Sequence, residues 1–468
     1  MTVGFRSERG PVLAALMVCI GLVAVDATVI ATAAPSIVAG LGGFAEFPWL
    51  FSVYLLAQAA AVPVYGRLAD VYGRKPLVLV GIGVFLLGSV LCGLAWSMTS
   101  LIVFRAVQGL GAGALQPVSL TIAADLYPVA ERGRVQGYFG SVWAVASVLG
   151  PTVGGLFSEH LSWRWIFFVN VPLCLVAAVT LLRRFAERVE RRPRRLDVPG
   201  AALLATGFTL VTLGLLAGGV AWPWSSVTGV TVLCGGAALL AAFVAVETRT
   251  PQPILPLWVF RRRTLAACNV VSLCVGAVLF GLTSFVPTYA QGVLGAGPTL
   301  AGFTLAPLTV AWAVTASQTS RFYMRIGFRA TALIGSGVAA AGAAMTALAG
   351  PRSTVAYVAV ACLVTGAGLG LVNAPTMIAA QSTVGWSERG VVTGANLFSR
   401  SIGSAVGVAG FGAVANAVLG GADPPGAALL ARASHHVFLL VAALTVVMAA
   451  AVAALPDLRV QPGDGSVR

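Results

Sequence analysis

Asp26 and Arg105 each stand inside a long run of apolar residues. An ionisable side chain is costly there, and its presence points to a function. A carboxyl group in such a place can take up and release a proton, and an arginine at the same depth tunes how readily it does so. Asp26 is the only carboxylate well inside an apolar run, because Asp125 and Glu247 fall near run ends. It lies about eight residues from the far end of the first run, and Arg105 about five from the start of the fourth. At ~1.5 Å rise per residue the two depths differ by about one helical turn, which a guanidinium arm spans. A plainer role for Arg105 is to satisfy backbone carbonyls, and for Asp26 to recognise cationic ligands. Other polar groups in the runs are Gln58, Gln108, Gln116, Asn269, Gln318, Asn373, Asn396 and Arg400. They line a cavity or join helices. Tyr54, Trp143, Phe280, Phe285 and Phe398 supply aromatic walls or ordinary core.

Enzymatic chemistry finds no footing. The sequence has no GxxxxGK[ST] phosphate loop, so ATP does not drive it. The short loops carry no credible nucleophile, base and acid. The seven cysteines lie in apolar runs without a CxxC pair and read as small hydrophobes. His160, His435 and His436 fall at run ends and show no metal spacing. Neither a metal nor another cofactor is expected.

The elements that position these groups must be membrane helices. The 468 residues are 58% hydrophobic and 9% charged, against roughly 25% charged in a soluble domain; the mean hydropathy is +0.93. Lipid has to cover that surface. A bilayer core of ~30 Å takes about 20 apolar residues per helix. The runs are 11–35, 48–66, 76–96, 100–124, 136–157, 165–182, 197–217, 227–246, 264–286, 299–319, 330–349, 353–374, 390–418 and 435–455. Helices are the only way to pair every backbone group within such runs. The first run is too long for a signal-peptide core and carries Asp26, so no cleavable signal peptide is expected.

The net charge of +14 does not indicate nucleic acid, because the basic residues lie between apolar runs. They read as topogenic charges. With a cytoplasmic N-terminus, 24 of the 29 Lys and Arg fall inside, while Arg164, Arg352 and Arg432 fall outside. The run RRFAERVERRPRR, Arg183 to Arg195, is a cytoplasmic linker, or in a sharper reading an anionic-lipid contact. It divides the chain into a six-helix bundle (1–182), a linker with two extra helices and a loop (183–263), and a second six-helix bundle (264–468). An internal repeat aligns RLADVYGRK, Arg67 to Lys75, with RFYMRIGFR, Arg321 to Arg329, so that Gly73 matches Gly327. Parallel repeats of this kind build two-bundle transporters.

GRLADVYGRK, Gly66 to Lys75, resembles the loop between helices two and three of the major facilitator superfamily. The resemblance implies a latch that closes the inner side, formed by Gly66, Arg67, Asp70, Gly73, Arg74 and Lys75. Asp70 can pair with Arg74 or cap a helix N-terminus across the bundle. RAVQGLGAG, Arg105 to Gly113, resembles the fourth-helix motif. GPTVGG, with Gly150, Pro151, Gly154 and Gly155, resembles the fifth-helix motif of exporters, with Ala146 where a glycine is usual. Pro151 should kink that helix. DATVIATAAP, Asp26 to Pro35, resembles the first-helix signature of drug:proton antiporters, with Ala31 where Asn is usual. WRWIFFVNVP (163–172), VPTYAQGVLG (286–295) and NLFSRSIGSAVG (396–407) extend the likeness over most of the chain.

The six-two-six layout is similar to the fourteen-helix multidrug antiporter branch. The resemblance implies an all-α major facilitator fold in a bacterial cytoplasmic membrane, with both termini inside and a monomeric state. It implies export of drugs or amphipathic small molecules against protons, with Asp26 and Arg105 coupling the flows. The substrate cavity is expected at Tyr54, Gln58, Gln108, Trp143, Phe285, Asn373, Asn396 and Arg400. A dedicated exporter of one endogenous metabolite, antibiotic or lipid is the alternative, and a scaffold without transport is a third.

Overall fold

The structure is a computed structural model, describing residues 7–42, 49–187, 197–218, 222–223, 225–250, 253, 255–419 and 426–457. Its elements are α1 (Gly10–Leu41), α2 (Trp49–Tyr72), α3 (Arg74–Gly93), α4 (Met98–Leu126), α5 (Val129–His160), α6 (Trp165–Phe168), α7 (Asn170–Arg184), α8 (Val198–Ala217), α9 (Val227–Glu247), α10 (Trp258–Arg261), α11 (Arg263–Gly292), α12 (Pro298–Ala347), α13 (Val355–Ser382), α14 (Arg389–Leu419) and α15 (Ala427–Ala453). The architecture is all-helical; no sheet occurs among the described residues. Among the described residues, eleven helices, α6 and α7 taken together, are long and apolar enough to cross a membrane.

Helix ends follow local chemistry. Ser97 and Ser100 form a reciprocal capping box at the start of α4, and the Asp197 side chain caps α8. Gly73, between α2 and α3, takes φ 95° and turns the chain sharply. Gly327 takes φ 83° with nearly the same ψ, and breaks α12 into two helices. The pair aligned by the internal repeat therefore shares one backbone conformation. Two expectations shift. α15 begins at Ala427, so His435 and His436 lie within a helix rather than at its end, His435 bonding the Ala347 carbonyl at 2.8 Å. The linker Arg183 to Arg195 is described only to Glu187, and the rest lies outside the described residues.

Two halves result. In the first, α1 packs on α5 and α7, and α4 on α2 and α3. In the second, α11 packs on α14 and α15, and α12 on α13 and α15. The halves meet along α5 with α12 and α2 with α14. The α8–α9 hairpin covers the second seam. α8 rests on both α2 and α14, with Phe208 against Phe398 at 4.7 Å between ring centroids.

Candidate functional site

Asp26 on α1 and Arg105 on α4 are both buried, at 4% and 1% exposure. They meet directly: Arg105 Nη1 donates to Asp26 Oδ2 at 2.5 Å. Gln108, one turn further along α4, donates to Asp26 Oδ1 at 2.8 Å and accepts from Arg105 Nη1 at 2.7 Å. Both carboxylate oxygens are thus engaged. Arg105 Nε reaches the Leu50 carbonyl at 3.3 Å, and the guanidinium carbon lies 4.1 Å from the Tyr54 ring centroid. A cation over an aromatic face in a dry site is worth ~2 kcal/mol or more.

Behind Gln108 stands a second set of groups. Gln108 also donates to Ser89 Oγ at 3.2 Å; Ser89 in turn accepts from Asn170 Nδ2 at 2.9 Å and donates to the Phe167 carbonyl at 2.9 Å. Ser89 and Asn170 were not among the expected site residues. Asn170 lies inside the quoted WRWIFFVNVP segment, which was a usable signal; a lone serine on α3 gives none. Gly88 lets this layer form. A Cβ there would lie 2.5 Å from the Gln108 nitrogen and Cα, so only glycine allows α3 to press so closely on α4.

A second constellation joins the two halves at the arginine-rich end. Asp70, at the end of α2, accepts from Arg74 Nη2 at 2.9 Å. It also accepts the backbone N–H of Gly390 at 2.9 Å and of Val391 at 2.7 Å. Those are free donors at the start of α14, where the helix dipole favours an anion. Both roles open to Asp70 in the sequence are therefore realised together. Arg74 is fully buried, lies 3.6 Å from the Trp386 ring centroid, and donates to the Trp386 carbonyl. Asp125 of α4 stands 3.1 Å from Arg74 Nε and accepts from Arg389 Nη1 at 2.7 Å. Gly66 touches α14: a Cβ there would lie 2.7 Å from the Gly390 carbonyl. Arg132 and Ser382 add a contact at 3.3 Å, and the Tyr323 hydroxyl donates to the Val129 carbonyl.

Lys75 and Arg74 have a further partner. The Glu187 carboxylate accepts both of their backbone N–H groups at 2.8 Å, so it caps α3 from beyond α7. Lys75 Nζ donates to the Leu182 carbonyl at 2.8 Å and to that of Phe185. Arg67 is half-buried on α2, at the same end.

Gly150 lies where α5 meets α1, and a Cβ there would collide with the Thr28 side chain. Thr28 Oγ1 donates to the Ala146 carbonyl at 3.0 Å across the same contact. Gly154 is buried; the surroundings of Pro151 and Gly155 lie outside what the structure describes. Of the expected cavity residues, Tyr54 and Gln108 belong to the Asp26 network. Asn396 has both ends of its amide engaged between helices, accepting from Ser272 at 2.9 Å and donating to the Cys268 carbonyl at 3.1 Å. It joins α14 to α11. Phe285 packs edge-on against Phe411. Gln58, Trp143, Asn373 and Arg400 are half-buried; Trp143 packs against the apolar cluster that includes Tyr54, and the hydrogen bonds of the Asp26 network among the described residues include none of the four.

The sequence profile of the Major Facilitator Superfamily matches residues 16–408. Multidrug resistance protein 3 of Bacillus subtilis (strain 168) is 34% identical over 403 residues, covering 86% of this chain and 79% of the relative. Multidrug transporter protein MdtP of the same organism is 32% identical, covering 88% and 76%. The crystal structure of the human organic anion transporter MFSD10 (TETRAN) superposes with a TM-score of 0.66 at 15% identity, covering 94% of this chain and 99% of that one. The proton:xylose symporter XylE does so with a TM-score of 0.60 at 14% identity, covering 92% and 94%. Two helical halves joined by hydrogen bonds and ion pairs at one end, and a profile match over most of the length, make this chain a multi-pass transporter of small molecules belonging to the major facilitator superfamily.

Proposed function

We propose that the protein exports drugs and other amphipathic compounds from the cytoplasm and is driven by protons entering in exchange. The observation that carries this reading is the buried Asp26–Arg105–Gln108 network. A carboxylate held between a guanidinium and an amide can lose its partners to a proton. A cationic or polar substrate competes for the same oxygens, and that competition couples the flows without ATP. The Tyr54 hydroxyl supports a ligand role. It is buried without a hydrogen-bond partner among the described residues, at a cost of ~1–3 kcal/mol that a ligand's polar group offsets. The names of the two Bacillus relatives support drugs as the substrate class.

The transport cycle follows from the latch. The cross-bundle contacts of Asp70, Arg74, Asp125, Arg132 and Arg389 close the arginine-rich end, which we assign to the cytoplasm. Breaking them lets the halves rock and opens the Asp26 network inward. Eleven helices qualify as spans; α5 and α8 join them, and α12 folds at Gly327 into two, giving fourteen crossings. Both termini and the linker after Arg184 then face the cytoplasm, and a monomer suffices. A reporter fused after Arg195 gives cytoplasmic activity; periplasmic activity there breaks the assigned topology.

Substrate breadth is tested in inverted vesicles energised by a pH gradient. Structurally unrelated cationic drugs are expected to inhibit each other's transport. One transported compound that no other displaces identifies a dedicated exporter instead.

A further inference from the structure

The seam between α5 and α12 is closed by backbone contact near the arginine-rich end. A Cβ at Gly133 would lie 2.7 Å from the Ser320 nitrogen, and one at Gly140 would lie 3.0 Å from the Ala313 Cα. Alongside this seam opens a cavity of about 410 Å³, lined in part by Arg134, Tyr138, Ser141, Ser317, Gln318 and Arg321. A second cavity of about 700 Å³ shares Gln318 and Arg321 with it and continues to Phe322, Arg325 and Ile326. Neither is used by the transport site.

The chemistry of the lining is one-sided. Arg134, Arg321 and Arg325 are exposed, and none forms an ion pair among the described residues. Ser141 and Ser317 donate their hydroxyl protons to the Tyr138 and Val314 carbonyls, and Gln318 Nε2 donates to Ser317 Oγ at 3.5 Å, which leaves the arginines as the charged donors of the lining. Like charges gathered in one opening favour an anion with several oxygens, and guanidinium groups match phosphate geometry. The surroundings are apolar on one side only. Val310, Val314, Phe322 and Ile326 recur at multiples of four on α12, with Gln318 between them, and all four are exposed. That is one exposed apolar ridge of the helix, of the kind acyl chains can cover.

We propose that this opening binds the phosphate headgroup of an anionic glycerophospholipid of the cytoplasmic leaflet, whose chains lie along Val310 and Val314. Arg134 belongs to the first half of the molecule, and Arg321 and Arg325 to the second. The headgroup therefore bridges the halves and favours the state in which this seam is closed. Free inorganic phosphate shares the headgroup chemistry but has no chains to bury.

Native mass spectrometry of the full-length protein in detergent tests this, with phosphatidylglycerol, phosphatidylcholine and inorganic phosphate as probes. Wild type retains phosphatidylglycerol over phosphatidylcholine by at least about tenfold, as expected for several basic residues on one anionic headgroup. The Arg134→Gln, Arg321→Gln, Arg325→Gln triple variant loses that preference, the corresponding triple Lys variant keeps most of it, and excess inorganic phosphate displaces nothing. An unchanged preference in the Gln variant overturns the site. Loss of the preference in the Lys variant as well shows that charge is not what binds, and also overturns it. Displacement by inorganic phosphate makes it a soluble-anion site and overturns the lipid.

Discussion

Asp26→Asn abolishes uphill export while the protein still inserts, folds and binds substrate. The asparagine oxygen can still accept from Arg105, and Arg105 keeps the Leu50 carbonyl, Gln108 and the Tyr54 face. Some stability is nonetheless lost, because removing one charge of a buried pair leaves the other uncompensated, at ~3–5 kcal/mol in severe cases. The loss that matters is functional: asparagine cannot exchange a proton in the physiological range. In inverted vesicles the variant's accumulation of drug against a gradient falls at least tenfold, toward the unenergised level, by the account of coupling through competition. Downhill drug exchange without a pH gradient persists. If the variant still exports a neutral substrate uphill using the proton-motive force, Asp26 is a recognition residue and coupling lies elsewhere.

Asp70→Asn slows turnover by about tenfold at normal expression. Both carboxylate oxygens are engaged in the proposed latch, one on Arg74 and Gly390, the other on Val391. Hydrogen bonds to a charged group contribute ~1.5–3 kcal/mol each. Asparagine keeps one acceptor but turns an N–H₂ group toward the α14 N-terminus, where the dipole is positive. The closed state loses more than ~1.4 kcal/mol, which shifts the two-state population by a factor of ten. Initial efflux rates normalised to protein amount measure it, with drug affinity as the control that stays near wild type. Normal efflux removes Asp70 from the latch.

How much of this was legible in the sequence depended on the kind of residue. Asp26 and Arg105 stood out because an ionisable group in an apolar run has few innocent reasons to be there. Their depths along two runs of opposite direction sufficed to match them. Asp70 was legible as a charge in a glycine-flanked loop; the structure narrows that loop to Gly73, keeps Asp70 in the last turns of α2, and makes both of its possible contacts. The supporting layer was not legible. Ser89 and Asn170 are short polar residues in helices whose rotation the sequence does not encode, because lipid-facing and core-facing positions are equally apolar. The same limit separated Gln108, whose amide completes the Asp26 network, from Asn396, whose amide joins α11 to α14. Trp386 stacking on Arg74, and Glu187 capping α3, are contacts between segments more than a hundred residues apart. No local pattern announces them. The two helices of the linker region were visible as runs, but their place over the α2–α14 seam comes from packing alone.

The claim that proton and substrate compete at Asp26 is tested most directly by proton release on drug binding. Purified protein in weakly buffered detergent solution is mixed with a cationic drug, and the pH is followed with a soluble indicator. Wild type, set at a pH where part of the population is protonated, releases protons in step with drug occupancy, and lowering the pH weakens drug binding. Asp26→Asn binds drug and releases none. Equal proton release by the variant, or drug binding to wild type that ignores pH, contradicts the account.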